Sequence, residues 1–263
     1  MKDVQNQSDN RGIAIQQVGV NEVHLPILIK TKEGGFQQVL ANICFTVSLP
    51  KEYKGTHMSR FLEILEPWSR KPLAETEMEI MLAEAMDHLE AESAYLKIEF
   101  KYFIDKRAPV SGRLSCLDLD CFFLGEKRMG EPMQFKLGVA VPFTSLCPCS
   151  REISVHGAHN QRSVCRCEVQ FHPGTECIYI EDLAVLVEEE ASCPIYPLLK
   201  REDEKYVTER AYENPKFVED ILRDVVLALR RIPGIAWFYL VCENFESIHN
   251  HNAYASHEET VNE

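Results

Sequence analysis

Two α+β modules in tandem, each an antiparallel sheet packed on a helix pair, are what this sequence predicts. Three observations carry that reading. Strand-like segments, two helical segments and more strand-like segments follow one another to about Leu124, and strands then helices start again after a polar break at residues 125–132. Leu96, Ile98, Phe100, Tyr102 and Ile104 alternate with the period of a half-buried strand. Phe217, Val218, Ile221, Leu222, Val225 and Leu229 recur at helical spacing. Runs of strands followed by runs of helices point to α+β packing.

In chain order, residues 1–17 read as a polar leader. Strands are expected at 23–29 and 36–49, where Phe45, Val47 and Leu49 alternate with polar or small residues. Helices are expected at 58–66 and 74–90, the second carrying Met78, Leu82, Ala85, Met86 and Leu89, with Pro67 and Pro72 separating them. Strands follow at 95–104 and 113–124 across a Pro-Val-Ser-Gly turn. Further strands are expected at 133–141 and 162–171, helices at 180–191 and 215–230, and a strand at 236–242. For the last helix, Asn214 is the expected cap and Pro215 fits the first turn. The expected division is a leader at 1–17, a first module at 18–128, and a second at 129–263 holding most of the site residues.

Composition narrows the function. Of 263 residues, 45% are hydrophobic and 26% charged, enough for a sizeable core. No apolar run approaches the roughly 20 residues of a membrane helix, and the polar start has no secretory h-region. A soluble cytoplasmic protein without membrane partners is therefore expected. In that setting the ten cysteines read as thiols or metal ligands, not disulfides. A net charge of −13 argues against nucleic-acid binding. It also requires any polyanionic substrate to be met by a local basic cluster.

Five features can carry chemistry. Cys147-Pro148-Cys149, followed by His156 and His159, offers thiolate and imidazole donors suited to zinc and similar ions; two structural thiols beside a surface histidine is the alternative. Cys165 and Cys167 would complete a CxC…CxC zinc set, but they share a strand face with Ser163, Val169 and Phe171, so core packing explains them more simply. Cys177, Cys193 and Cys242 read as packing residues too. The run from Leu199 to Arg210 reads as a solvated loop, or as a basic cluster of Lys200, Arg201, Lys205 and Arg210 for a triphosphate, with a carboxylate for a metal. His249 and His251 follow a strand and offer a metal or acid–base pair, or a polar loop. Glu219 borders the apolar stripe of the last helix, where a carboxylate either pairs with two adjacent N–H donors or favours the helix dipole.

The blocks CPCSREIS, GAHNQRS, LLKREDEKYVTERAYENPKFVED and ENFESIHNHNAYA resemble the type IB GTP cyclohydrolase I family, over a span from about residue 10 to residue 255. The Cys-His…Cys pattern of the type IA enzymes is not present, so the similarity is to type IB. The resemblance implies a tunnelling fold of two modules in a homo-oligomer, expected as a tetramer, with active sites between subunits. It implies conversion of GTP to 7,8-dihydroneopterin triphosphate and formate, entering pterin and tetrahydrofolate synthesis. One divalent metal per site, zinc, manganese or iron, is implied. Cys147, His159, Glu204 and His249 are put forward as ligands or near-ligands. Cys147, Cys149 and His249 are put forward for catalysis, and Glu219 as the guanine anchor. The triphosphate falls to Lys200, Arg201 and Lys205, with Arg151 or Arg162 joining from another subunit. The alternatives are another enzyme on this fold, such as a cyclohydrolase yielding a cyclic phosphate, and a non-catalytic zinc-stabilised binding module.

Overall fold

The computed structural model describes residues 8–261. They form two compact units that interleave along the chain. The first holds the described residues through Lys101 together with Phe122–Leu137; the second holds Tyr102–Cys121 and the chain from Gly138 onward. These are not the successive stretches 18–128 and 129–263 read from the sequence. The reason lies in β4 (Ser93–Arg107) and β5 (Leu114–Arg128), each 15 residues long and contributing to both units.

In the first unit, β1 (Ile15–Lys30) pairs antiparallel with β2 (Phe36–Leu49), and β2 with β4. β1 starts earlier than its apolar run, because irregularities at Ile15/Val18 and Val20/Val23 interrupt the alternation. Glu22 takes φ 57° at the second of these. At the paired position Gly19, a Cβ would lie 2.1 Å from the Phe45 carbonyl oxygen, so only glycine allows this approach. The short β3 (Pro72–Leu73) runs parallel to β1.

Two helices complete this unit. α1 (Met58–Trp68) buries Phe61, Ile64, Leu65 and Trp68. α2 (Glu75–His88) buries Met78, Met81, Leu82 and Ala85, and packs on α1. Phe61 meets Phe45 of β2 edge-on, with ring centroids 5.4 Å apart. Pro67 does not end α1, contrary to expectation; it sits in the last turn, where a lost N–H costs one bond, and Ser69 still donates to the Leu65 carbonyl.

In the second unit, β7 (Asn160–Phe171) pairs antiparallel with β9 (Ile235–Asn244), and β9 with β10 (Ala253–Thr260). β10 escaped the sequence reading: its Tyr254, Ser256, Glu258 and Thr260 face outward and only half-buried side chains face inward. β6 (Gln134–Leu146), which enters this unit at Gly138, pairs through Phe143 and Thr144 with the two-residue β8 (Cys193–Pro194). Among the described residues this unit has four helices: α3 (Pro148–Ile153), α4 (Ile180–Glu189), α5 (Arg201–Glu213) and α6 (Val218–Leu229). α6 packs its stripe on β9 and β10. Cys165, Cys167, Cys193 and Cys242 are buried packing residues, and Cys177 is half-buried. Burial pushes the Cys167 and Cys193 thiols up.

Two boundaries differ from the sequence reading. The charged run is not a loop: α5 spans it, started by Asp203, which accepts the Lys200 backbone N–H at 2.8 Å. Asp203 is fully buried and also accepts N–H bonds from Val110 and Ser111 at 2.9 and 2.8 Å and the Ser111 hydroxyl at 2.6 Å. Asn214 closes α5 instead of capping α6, its amide donating to the Ala191 carbonyl at 2.9 Å. α6 starts three residues later, where Asp220 accepts the Phe217 N–H at 3.1 Å. No helix among the described residues is long and apolar enough to cross a membrane.

Candidate metal and substrate site

The site is built where β6 ends and β7 begins. Cys147 caps the short α3, and Pro148 occupies the first-turn position. The Cys147 Sγ accepts from the Ser150 N–H at 3.4 Å. The Cys147 backbone N–H donates to the His159 carbonyl at 3.1 Å. Ser150 links both ends of the loop: its Oγ donates to the Cys147 carbonyl at 3.3 Å and accepts the His159 N–H at 3.1 Å. Beneath them Leu146, Cys193 and Ala211 form a small apolar cluster, with Ala158 and Val207 against it. The neck of the loop is therefore fixed by backbone bonds and packing.

The His159 ring sits among oxygens. Its Nδ1 lies 3.0 Å from Gln161 Oε1 and 3.9 Å from Glu246 Oε2. Gln161 Nε2 donates to Ser145 Oγ at 2.7 Å, and Ser145 Oγ lies 2.8 Å from Ser163 Oγ. Ser145 and Ser163 are fully buried and Gln161 nearly so. Gln161 also lines a cleft of about 320 Å³, together with Thr144, Asn160, Arg162, Tyr196 and Thr208.

Two further segments meet this neck. The Lys216 N–H donates to the Leu146 carbonyl at 3.1 Å, tying the approach to α6 to the residue before Cys147. The Phe245 N–H donates to the Arg162 carbonyl at 3.0 Å and brings Glu246 towards His159. Beyond it, Asn252 and Arg166 both bind Glu243, at 2.8 and 3.2 Å, and hold its carboxyl below the usual range.

Cys147 and His159 are thus brought together. Among the described residues, however, no group of three or more His, Cys, Asp or Glu stands ready to hold a metal. Glu204 and His249 therefore do not join that pair as a cluster within one chain, and no CxC…CxC set forms. Cys149 is exposed beside them. His249 is exposed on the 245–252 loop, its ring stacked on His251 with centroids 5.2 Å apart. Glu219 is exposed in the first turn of α6. Lys200, Arg201 and Lys205 are exposed at the start of α5, with Lys205 Nζ 3.9 Å from Glu209. Arg210 instead donates to the Tyr206 hydroxyl at 3.3 Å, and Arg151 lies over the Tyr212 ring of its own chain at 4.7 Å.

Gln161, Ser150 and Glu246 were not singled out from sequence. For Gln161 a signal existed: it shares the inward face of β7 with Ser163, Cys165 and Cys167, where a long polar side chain needs a partner.

The sequence model of the family described as Type I GTP cyclohydrolase folE2 matches residues 1–255. The chain belongs to this family. Among curated members, the GTP cyclohydrolase FolE2 of Geobacter metallireducens is 52% identical over 256 residues, 97% of this chain and 96% of that protein. The GTP cyclohydrolase FolE2 of Geobacter sulfurreducens is 51% identical over 259 residues, 98% of each. Solved structures show the fold alone. Uricase from Arthrobacter globiformis gives a TM-score of 0.54 at 9% identity, covering 94% of this chain and 93% of its own. Urate oxidase from Bacillus subtilis 168 gives 0.51 at 9% identity, covering 93% and 98%. This member of the family thus has an α+β architecture that it shares with urate oxidases.

Proposed function

We propose that the chain hydrolyses and rearranges GTP to 7,8-dihydroneopterin triphosphate and formate, the first step of pterin synthesis for tetrahydrofolate. The observation that carries the reading is the Cys147–His159 pairing, held by the 3.1 Å backbone bond, in a chain that the family model matches over residues 1–255. With it we infer two tunnelling-fold modules per chain and a homo-oligomer, a tetramer, with its sites at subunit interfaces.

One divalent metal per site is part of the proposal. Thiolate and imidazole on neighbouring strand ends fit two positions of a borderline ion such as zinc, manganese or iron. Cys147 and His159 would hold it, and Glu204 and His249 are the proposed further donors, gathered in the assembled oligomer. When bound, such an ion supplies Lewis acidity that brings the pKa of water towards neutrality.

The chain's own residues do the rest. Glu219 pairs with the N1–H and 2-amino group of guanine and orients the purine for attack at C8. Cys149 and His249 carry protons during ring opening and sugar rearrangement. Lys200, Arg201 and Lys205 meet the triphosphate. The test is anaerobic GTP turnover across a panel of divalent metals, reading formate and, after oxidation, fluorescent neopterin triphosphate. Absence of formate with every metal, or a cyclic phosphate product, would overturn it.

A further inference from the structure

The polar chain behind His159 is a feature the proposed chemistry does not use. Gln161 Oε1 lies 3.0 Å from His159 Nδ1, while its Nε2 donates to Ser145 Oγ at 2.7 Å, backed by Ser163 at 2.8 Å. Gln161 is 7% exposed and both serines 0%, so these polar groups take their partners chiefly from the protein.

An amide presents one donor end and one acceptor end. If the donor end serves Ser145, the end facing His159 is an acceptor, and the ring nitrogen opposite must carry the hydrogen. Glu246 settles which way the chain runs. Its carboxylate, 3.9 Å from the same Nδ1, is a second acceptor facing that nitrogen. Both neighbours of Nδ1 therefore ask it to donate. Reversing the amide would place a donor against Nδ1 and leave that nitrogen's lone pair facing a carboxylate.

We infer that Gln161 is a positioning residue: it holds His159 as the Nδ1–H tautomer and leaves Nε2 as the bare nitrogen available to a divalent metal. The inference rests on the metal-site reading above but concerns a hydrogen bond between two residues of the chain itself. Partners behind a ligating histidine fix its tautomer and orientation, and removing one costs roughly 10–100-fold in metal affinity.

The test is nitrogen-15 NMR of His159 in the metal-free full-length protein, in mildly alkaline buffer, for wild type, Gln161→Leu, Gln161→Glu and Ser145→Ala. Zinc affinity is measured in parallel by chelator competition. Wild type is expected to show one tautomer, protonated at Nδ1. Gln161→Leu is expected to mix the tautomers and weaken zinc by roughly 10–100-fold. Gln161→Glu keeps an acceptor against Nδ1 and is expected to restore the single tautomer, with Ser145→Ala intermediate. A wild-type ring protonated at Nε2, or a tautomer unmoved in Gln161→Leu, overturns the inference. If Gln161→Leu does not fold, Gln161→Glu and Ser145→Ala decide by the same readout. Should wild type show the Nδ1–H tautomer yet take up no zinc, the metal-site reading fails while the Gln161–His159 coupling stands.

Discussion

The Cys147 N–H and the His159 carbonyl, 3.1 Å apart, close the 148–158 loop at its neck. Because this bond is between backbones, and Ser150 braces it from inside, neither the thiol nor the imidazole is needed to hold the neck together. Ligand chemistry and folding are therefore separable here.

That separation gives the first prediction. Chelating the metal, or making Cys147→Ser, which keeps an acceptor for the Ser150 N–H, is expected to leave far-UV circular dichroism and the unfolding midpoint nearly unchanged. Formate release should fall by on the order of 10³, the consequence of losing several kcal/mol of Lewis-acid stabilisation. A zinc-stabilised binding module would instead unfold on chelation. Unfolding without metal, or full activity without it, would sink the prediction.

Glu219 stands exposed in the first turn of α6, where a helix N-terminus also favours a carboxylate. The two roles part on substitution. Glu219→Gln keeps the shape but loses one of two acceptors, and is expected to lower kcat/KM for GTP by roughly 10–100-fold, the value of a charge-assisted hydrogen bond. Inosine triphosphate, lacking the 2-amino group, should distinguish wild type from variant far less than GTP does. Equal losses on both nucleotides would leave Glu219 with the dipole role alone.

The start of α5 presents Lys200, Arg201 and Lys205, with Arg201 and Lys205 four residues apart on one helical face. Neutralising the three is expected to raise KM for GTP by at least about tenfold, since each charge-assisted phosphate contact contributes on the order of 1 kcal/mol or more. Guanosine analogues without the triphosphate should be affected much less. Parallel losses on both substrates would assign the cluster to α5 solubility and not to substrate.

Strands with clean alternation, such as β2 and β4, and the α6 stripe were legible because burial on one side leaves a periodic trace. β10 was hidden because its inward side chains are only half-buried. α5 was hidden because its helix does not rest on an apolar stripe: only Asp203 and Ala211 are buried, and its start is set by the contact of Asp203 with Val110 and Ser111, some ninety residues earlier. The Cys147 and His159 blocks were readable as motifs. Glu246 became visible only once β7 and the end of β9 were side by side, since no spacing along the chain encodes its proximity to His159.

Asp203 offers a test of what holds α5. Desolvation opposes its ionisation, but hydrogen bonds from Ser111, Lys200 and Val110 prevail and keep its carboxyl well below the ordinary value of 3.8. With the folded pKa below the unfolded one, its contribution is fully present above about pH 3.8 and is lost as pH falls below it. Asp203→Asn is therefore expected to be less stable than wild type at neutral pH, with the gap narrowing in strong acid. Urea midpoints across pH check this, and a gap that is independent of pH would refute it.

Lys106 Nζ lies 2.5 Å from Glu188 Oε2, with the two side chains 12% and 6% exposed. Burial raises the Glu188 carboxyl above its ordinary 4.5, and the hydrogen bond and charge of Lys106 oppose the rise. An acid whose folded pKa is the higher binds more protons when folded, so stability falls as pH climbs from 4.5 through the folded value. Lys106→Met keeps the stem packed near Tyr196, whose ring lies 5.1 Å from the ammonium, but strands the carboxylate and pushes its pKa higher still. The expected loss at neutral pH is about 3–5 kcal/mol, shrinking as the solution is acidified and Glu188 takes up a proton. Urea unfolding of wild type and variant at neutral and mildly acidic pH measures both parts. A loss of the same size at the two pH values would mean that packing, and not the stranded charge, is what Lys106 supplies.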